Sequence, residues 1–267
     1  MSATTSTSNS APTGRLASAC SELFRLTLRR QLRSRQTLVC LALTTLCALI
    51  VLAWAQQRNP NAKKLAEQVL IPTFVGFLMP IFAVSYGASG IGGEREDRTL
   101  IYLLITPIPR AVLYLVKAFA TMLLVALWAG GALGVMCLLA GEHGREVFLV
   151  FLPPSLWGTA VYAALFLLLG ASFRHGTIIS LAYWFFLEVL FGAIPGTVKR
   201  VTVSFYVKCL IYDAGEDLRL RPLGRVARET FLAVTGDTAL IALASALIAL
   251  LILGAGVLST REYAELG

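Results

Sequence analysis

Charge is what this chain has least of. Only 14% of its 267 residues are Asp, Glu, Lys or Arg, against about 25% in a soluble domain, too few to cover a globule of this size. Disorder is excluded as well, because it needs low hydrophobicity and high charge, and 57% of this chain is hydrophobic. Two histidines are present, His143 and His175, and no metal-ligand cluster is spelled out. Cys20, Cys40, Cys47, Cys137 and Cys209 include no C-x-x-C pair, so neither a disulfide framework nor a zinc site is indicated. Cys40, Cys47 and Cys137 lie in apolar runs and read as packing residues. Also missing are the short alternating segments of a membrane β-barrel and a G-x-x-x-x-G-K-[ST] phosphate loop.

What is there is apolar length. Six runs, near 37–55, 69–92, 118–140, 147–173, 177–194 and 238–258, each suffice at 1.5 Å per residue to cross a hydrocarbon core about 30 Å thick. Inside a bilayer the backbone must satisfy its own hydrogen bonds, so these are helices. The chain reads as an all-α polytopic membrane protein with six transmembrane helices over 37–258. Pro80 should kink the second run. Pro153 and Pro154 are placed near the start of the fourth, where early helical N–H groups lack partners anyway. Residues 1–14 are Ser/Thr-rich and read as a disordered lead, without the apolar region of a signal peptide. Residues 15–36 read as an amphipathic interfacial helix: Leu16, Cys20, Leu23, Phe24 and Leu28 share one face, and Glu22, Arg25, Arg29 and Arg33 another. Residues 259–267 form a short tail.

The net charge of +8 fits a membrane surface better than nucleic acid. Arg15, Arg25, Arg29, Arg30, Arg33 and Arg35 all precede the first run, where basic residues mark a cytoplasmic flank facing anionic lipid. Only Arg58, Lys63 and Lys64 follow it, so both termini are expected in the cytoplasm. The long outer loop 195–237 carries Leu223, Val226, Ala227, Phe231 and Val234 at helical spacing and is expected to dip into the outer leaflet. Trp54, Phe205 and Tyr206 are expected to anchor the outer interface.

The segment between the second and third runs is the most informative. Residues 93–98, Gly-Glu-Arg-Glu-Asp-Arg, hold five charges, and Leu100, Leu103 and Leu104 follow before Pro107, Pro109 and Arg110. Acidic residues favour a helix N-terminus and the prolines end the helix, which describes a short amphipathic rod at the inner surface. This stretch resembles the first cytoplasmic loop of ABC-2 type transporter permeases, G-E-R-E-x-G-T-L-x-x-L-L-x-x-P-x-x-R with a lysine beyond. The matching residues are Gly93, Glu94, Arg95, Glu96, Thr99, Leu100, Leu103, Leu104, Pro107, Arg110 and Lys117, whereas Arg98 stands where the family has glycine. The resemblance implies an exporter subunit that pairs with a second permease subunit and takes its energy from a separate ABC ATPase. That motor would dock on Glu94, Glu96, Thr99, Leu100, Leu103, Leu104, Pro107 and Arg110. It also implies that ATP and Mg are bound by the partner, with no cofactor on this chain, and places the protein in the inner membrane. Spans one, two and five would wall a pathway whose apolar lining suits a lipid, a drug, a lipid-linked glycan or a peptide.

Glu188 lies inside the fifth run, about 9 Å from its outer end. A charge at mid-bilayer costs roughly 3 kcal/mol or more, so it must face protein or water or be protonated. It reads either as a structural pair with an outer-loop Lys or Arg, or as a gate or substrate contact. Ala126, Gly130 and Gly134 repeat every four residues, as do Gly192 and Gly196, and read as close helix packing. A rival from another class is Gly87-Ala88-Ser89-Gly90, which resembles the serine motif of rhomboid intramembrane proteases. A serine nucleophile needs a base within reach, yet the sixth run has no histidine and Ser89 borders a charged loop, so the tetrapeptide reads as small-residue packing. A channel or secondary transporter is the other alternative, though no charged ring or broken half-helices support it.

Overall fold

A computed structural model describes residues 12–56, 61–96, 109–192, 197–216, 218, 220 and 234–260. Among them all regular structure is helical. We number the main helices α1 (Pro12–Leu32), α2 (Arg35–Ala55), α3 (Ala62–Glu94), α4 (Arg110–Leu139), α5 (Glu142–Ser172), α6 (Gly176–Phe191), α7 (Val203–Ala214) and α8 (Gly236–Thr260). The last helical stretch of α3 continues to Glu96.

Five of these, α2, α3, α4, α5 and α8, are long and apolar enough to cross a membrane. The helix expected over 177–194 is shorter: α6 runs for 16 residues by its bounds, about 24 Å. Several boundaries move outward. The helix that holds the second run starts at Ala62 and that of the third at Arg110, because Lys63, Lys64 and Lys117 continue the helices instead of ending them. The fourth starts at Glu142, so Pro153 and Pro154 lie in its interior rather than at its start. Each proline removes one amide donor there. Next to them the Ser155 hydroxyl donates to Phe151 O at 2.6 Å, a bond within the same helix. Along α3 the turns widen to π geometry over Leu65–Leu78 and Val84–Ala88, with Pro72 and Pro80 inside the helix.

α5 is the hub, packing against α3, α4, α6, α7 and α8. The turn from α4 to α5 is made by Gly141 at φ 70°, a left-handed conformation that favours glycine. At the other end of α5, a Cβ on Gly170 would sit 2.4 Å from Ala88 O, so that glycine lets α3 and α5 touch backbone to backbone. The apolar stretch of α3 is 67% buried and that of α8 only 11%; α3 is the axis, and α8 a flank turned outward.

α1 follows the expected face pattern, with Leu23 buried and Glu22, Arg25, Arg29 and Arg33 exposed. Its Phe24 ring meets Phe119 of α4 at 5.9 Å. Trp54 and Phe205, expected at the outer interface, are each 3% exposed and pack against the bundle's own side chains, while Tyr206 is half-buried. Within the long loop a 3-10 turn, Thr197–Val201, leads into α7. α7 buries Ser204, Phe205, Val207, Cys209 and Ile211 against α3, α5 and α8. The spacing noted at Leu223, Val226, Ala227 and Phe231 falls outside the described residues.

Candidate functional site

The connection 97–108 and the side chain of Glu96 lie outside the described residues, and with them Thr99, Leu100, Leu103, Leu104 and Pro107. The two helix ends that flank the connection are described. Arg110 is the exposed first residue of α4, after an N-cap at Pro109. Glu94, at the end of α3, is turned inward and is 8% exposed.

Glu94 is the centre of a charge network drawn from three helices. Lys117 of α4, fully buried, donates its Nζ to the Glu94 carboxylate and to Gly90 O at 3.3 Å. Arg30 of α1 donates Nη1 to the other carboxylate oxygen at 3.3 Å, with its own side chain 47% exposed. A lysine at 0% exposure inside a helix of this hydropathy would be prohibitive alone, and a carboxylate in hydrogen-bond contact offsets that penalty. The network therefore ties together the end of α3, the second turn of α4 and the last turns of α1.

Polar side chains continue inward from it. Gln31 of α1 is 7% exposed; its Nε2 donates to Tyr86 O at 3.4 Å and to Thr121 Oγ1 at 3.3 Å. Thr37 and Tyr86 hydroxyls lie 3.1 Å apart. Gly90 makes room here, since a Cβ on it would sit 2.8 Å from Leu167 Cδ1. Arg30, Gln31 and Thr121 are the residues that sequence reasoning missed. Their signal was slight, because a glutamine at the border of an amphipathic helix looks like any solvated side chain.

Residues 28–190 match the family described as ABC-2 family transporter protein. This chain is an ABC-2 family member. No curated protein matches it in sequence. As an ABC-2 protein with several crossing helices it is a multi-pass membrane protein and a permease subunit of an ABC-type transporter. ABC-2 permeases generally leave ATP hydrolysis to an ABC ATPase partner.

The other singled-out residues fall into place around this ABC-2 frame. Ser89 Oγ donates to Ser85 O at 2.6 Å and to Gln36 Oε1 at 3.1 Å, and no bond to His143 or His175 occurs among the described residues. Gly87 stands where a Cβ would meet Phe166 Cβ at 2.9 Å, which makes the tetrapeptide a contact surface for α5. Gly134 faces Phe148 and Gly130 faces Leu152, both of α5, at 3.8 Å.

Glu188 of α6 sits at the opposite end of the bundle from Glu94 and is 7% exposed. It accepts from the Val203 amide at 2.9 Å and the Ser204 amide at 3.3 Å, the first two residues of α7. Amides at a helix N-terminus have no intrahelical partner and carry the positive end of the helix dipole. The carboxylate thus caps α7, together with Thr202 Oγ1, which accepts from Phe205 N at 3.3 Å. Lys208 of α7, a cation of the 195–237 stretch, also interacts electrostatically with Glu188, so an outer-loop cation stands beside these main-chain donors.

Proposed function

We propose that this permease works as an exporter subunit in which segment 97–108 receives a separate ABC ATPase and α3 and α4 carry its motion into the bilayer. The observation that supports this is the Arg30–Glu94–Lys117 network. It fastens both helices that flank the segment to each other and to α1, so that force applied between residues 96 and 110 moves three helices together. Docking falls to Glu96, Thr99, Leu100, Leu103, Leu104, Pro107 and Arg110, and Glu94 joins that surface to the bundle beneath. ATP and Mg are held by the partner. A second permease subunit completes the pathway, both termini lie in the cytoplasm, and the protein resides in the inner membrane. Motor-driven movement then selects between two packings of the crossing helices.

The test is reconstitution of the permease with its ATPase in vesicles. Leu103→Arg with Leu104→Arg is expected to abolish stimulation of ATP hydrolysis while thermal unfolding of the permease stays unchanged. Unchanged stimulation, or labelling of a cysteine placed at 103 by an impermeant reagent from outside intact cells, overturns the reading.

A further inference from the structure

The corner between α1 and α2 is pinned to a single residue of α3. Gln31 stands in the last turn of α1 and Thr37 in the first turn of α2, with only Arg33 and Ser34 between the two helices. The Gln31 amide offers its Nε2 to Tyr86 O at 3.4 Å and to Thr121 Oγ1 at 3.3 Å. Its Oε1 is buried and accepts nothing among the described residues, so the side chain is held by its donor end. Thr37 meets the other end of Tyr86, hydroxyl to hydroxyl at 3.1 Å. A threonine hydroxyl has one proton to give. Leu32 O at 2.9 Å lies closer to it than Gln31 O at 3.2 Å and takes that proton, which leaves Tyr86 as the donor to Thr37.

Tyr86 thus grips α1 by its main-chain oxygen and α2 by its phenol. It is fully buried, its ring stacks on Trp128 of α4 at 6.4 Å, and it occupies the middle of the π stretch Val84–Ala88. Single turns of that geometry are frequent at functional sites. Thr121 follows Lys117 by one turn of α4 and Gln31 follows Arg30 in α1, so the Gln31–Thr121 bond forms a second rung beside the Glu94 network. Ser34 Oγ closes the corner by donating to Gln31 O at 2.8 Å. A second tether from α2 to α3, Ser89 Oγ to Gln36 Oε1 at 3.1 Å, joins two half-buried side chains and is weaker than a bond shielded from water.

We propose that Tyr86 is a positioning residue for transport, whose hydroxyl hands the motion of the Glu94 joint on to α2. The inference rests on the coupling role proposed for segment 97–108. Without the hydroxyl, α1, α3 and α4 still move together through Glu94, Gln31 and Trp128, and α2 lags behind them.

The experiment measures spin-label distances in the permease reconstituted with its ATPase in nanodiscs, nucleotide-free and vanadate-trapped. Cys20 is replaced by serine, the other four cysteines being buried. One label pair at exposed Leu49 and Leu156 follows α2 against α5, and a second at Val112 and Leu156 follows α4. Both distances are expected to shift on trapping in the wild type. In Tyr86→Phe, which keeps the ring on Trp128, the displaced α2 population is expected to fall about fivefold, the worth of one hydrogen bond. The α4 shift, the stimulation of ATP hydrolysis and thermal unfolding are expected to stay as they were. Thr37→Val is expected to reproduce the loss, the double variant to add nothing to it, and Thr37→Ser, which keeps the hydroxyl, to behave as wild type. A full α2 shift in Tyr86→Phe or in Thr37→Val overturns the inference, as does loss of the α4 shift along with it. A wild type in which α4 shifts and α2 does not overturns the inference and leaves coupling standing. A wild type in which neither shifts overturns both.

Discussion

The two ends of this bundle each bury a carboxylate, and they satisfy it in different ways. Glu94 is met by side-chain cations from two other helices, whereas Glu188 is met from a single short helix, by two main-chain amides of α7 and by the field of Lys208 on that same helix. Side-chain ion pairs report where helices stand relative to one another, because each partner rides on a different rod. Amide capping reports only that one helix begins where another passes. The Glu94 end is therefore built as a joint between elements, and the Glu188 end as a fastening of the loop helix α7 onto the bundle.

The sharpest way to break this contrast is Glu94→Ala. It strands the fully buried Lys117, and loss of one partner from a buried pair costs about 3–5 kcal/mol. Thermal unfolding of the purified protein is expected to fall steeply, while Glu94→Met combined with Lys117→Leu recovers most of the loss. A single variant as stable as wild type would mean that Glu94 does not hold the lysine. Next in size is Glu188→Ala, expected to cost about 1–2 kcal/mol as other lost helix caps do. Hydrogen exchange should quicken at the amides of 203–206 and stay unchanged at α4. Exchange spreading to α4 would show the two ends to be one mechanical unit. Smallest is Arg30→Gln, whose partly exposed pair is worth within about 1 kcal/mol. Stability should barely move, and if stimulation of the ATPase falls nonetheless, the joint serves coupling more than folding.

Most of the architecture was legible because the apolar runs are long and the charges few. The errors cluster where a charge was taken as a boundary. Lys117 ended the predicted third run at its near side, yet it lies inside α4, since a lysine facing a carboxylate 23 positions earlier is no longer a surface residue. Pro153 and Pro154 misled in the same way, because a proline reads as a helix start although a membrane helix packed among neighbours tolerates it in its interior. Leu100, Leu103 and Leu104 pointed to the docking segment through a family pattern, but nothing in that pattern names Arg30, which belongs to a different part of the chain. Gln31 was hidden more deeply. An unmet amide oxygen exists only once three helices have enclosed it. α7 was missed because its buried residues face three separate neighbours, leaving no single apolar stripe.

The pairing of Lys117 with Glu94 has a bearing on how the protein enters its membrane. A lone lysine two turns into a crossing segment resists partition from the translocon by roughly 3 kcal/mol, yet its counter-charge is delivered by the segment made just before it. The two segments are best released sideways into lipid as one neutralised hairpin. Synthesis thus has to keep the earlier helix waiting at the exit until the later one arrives.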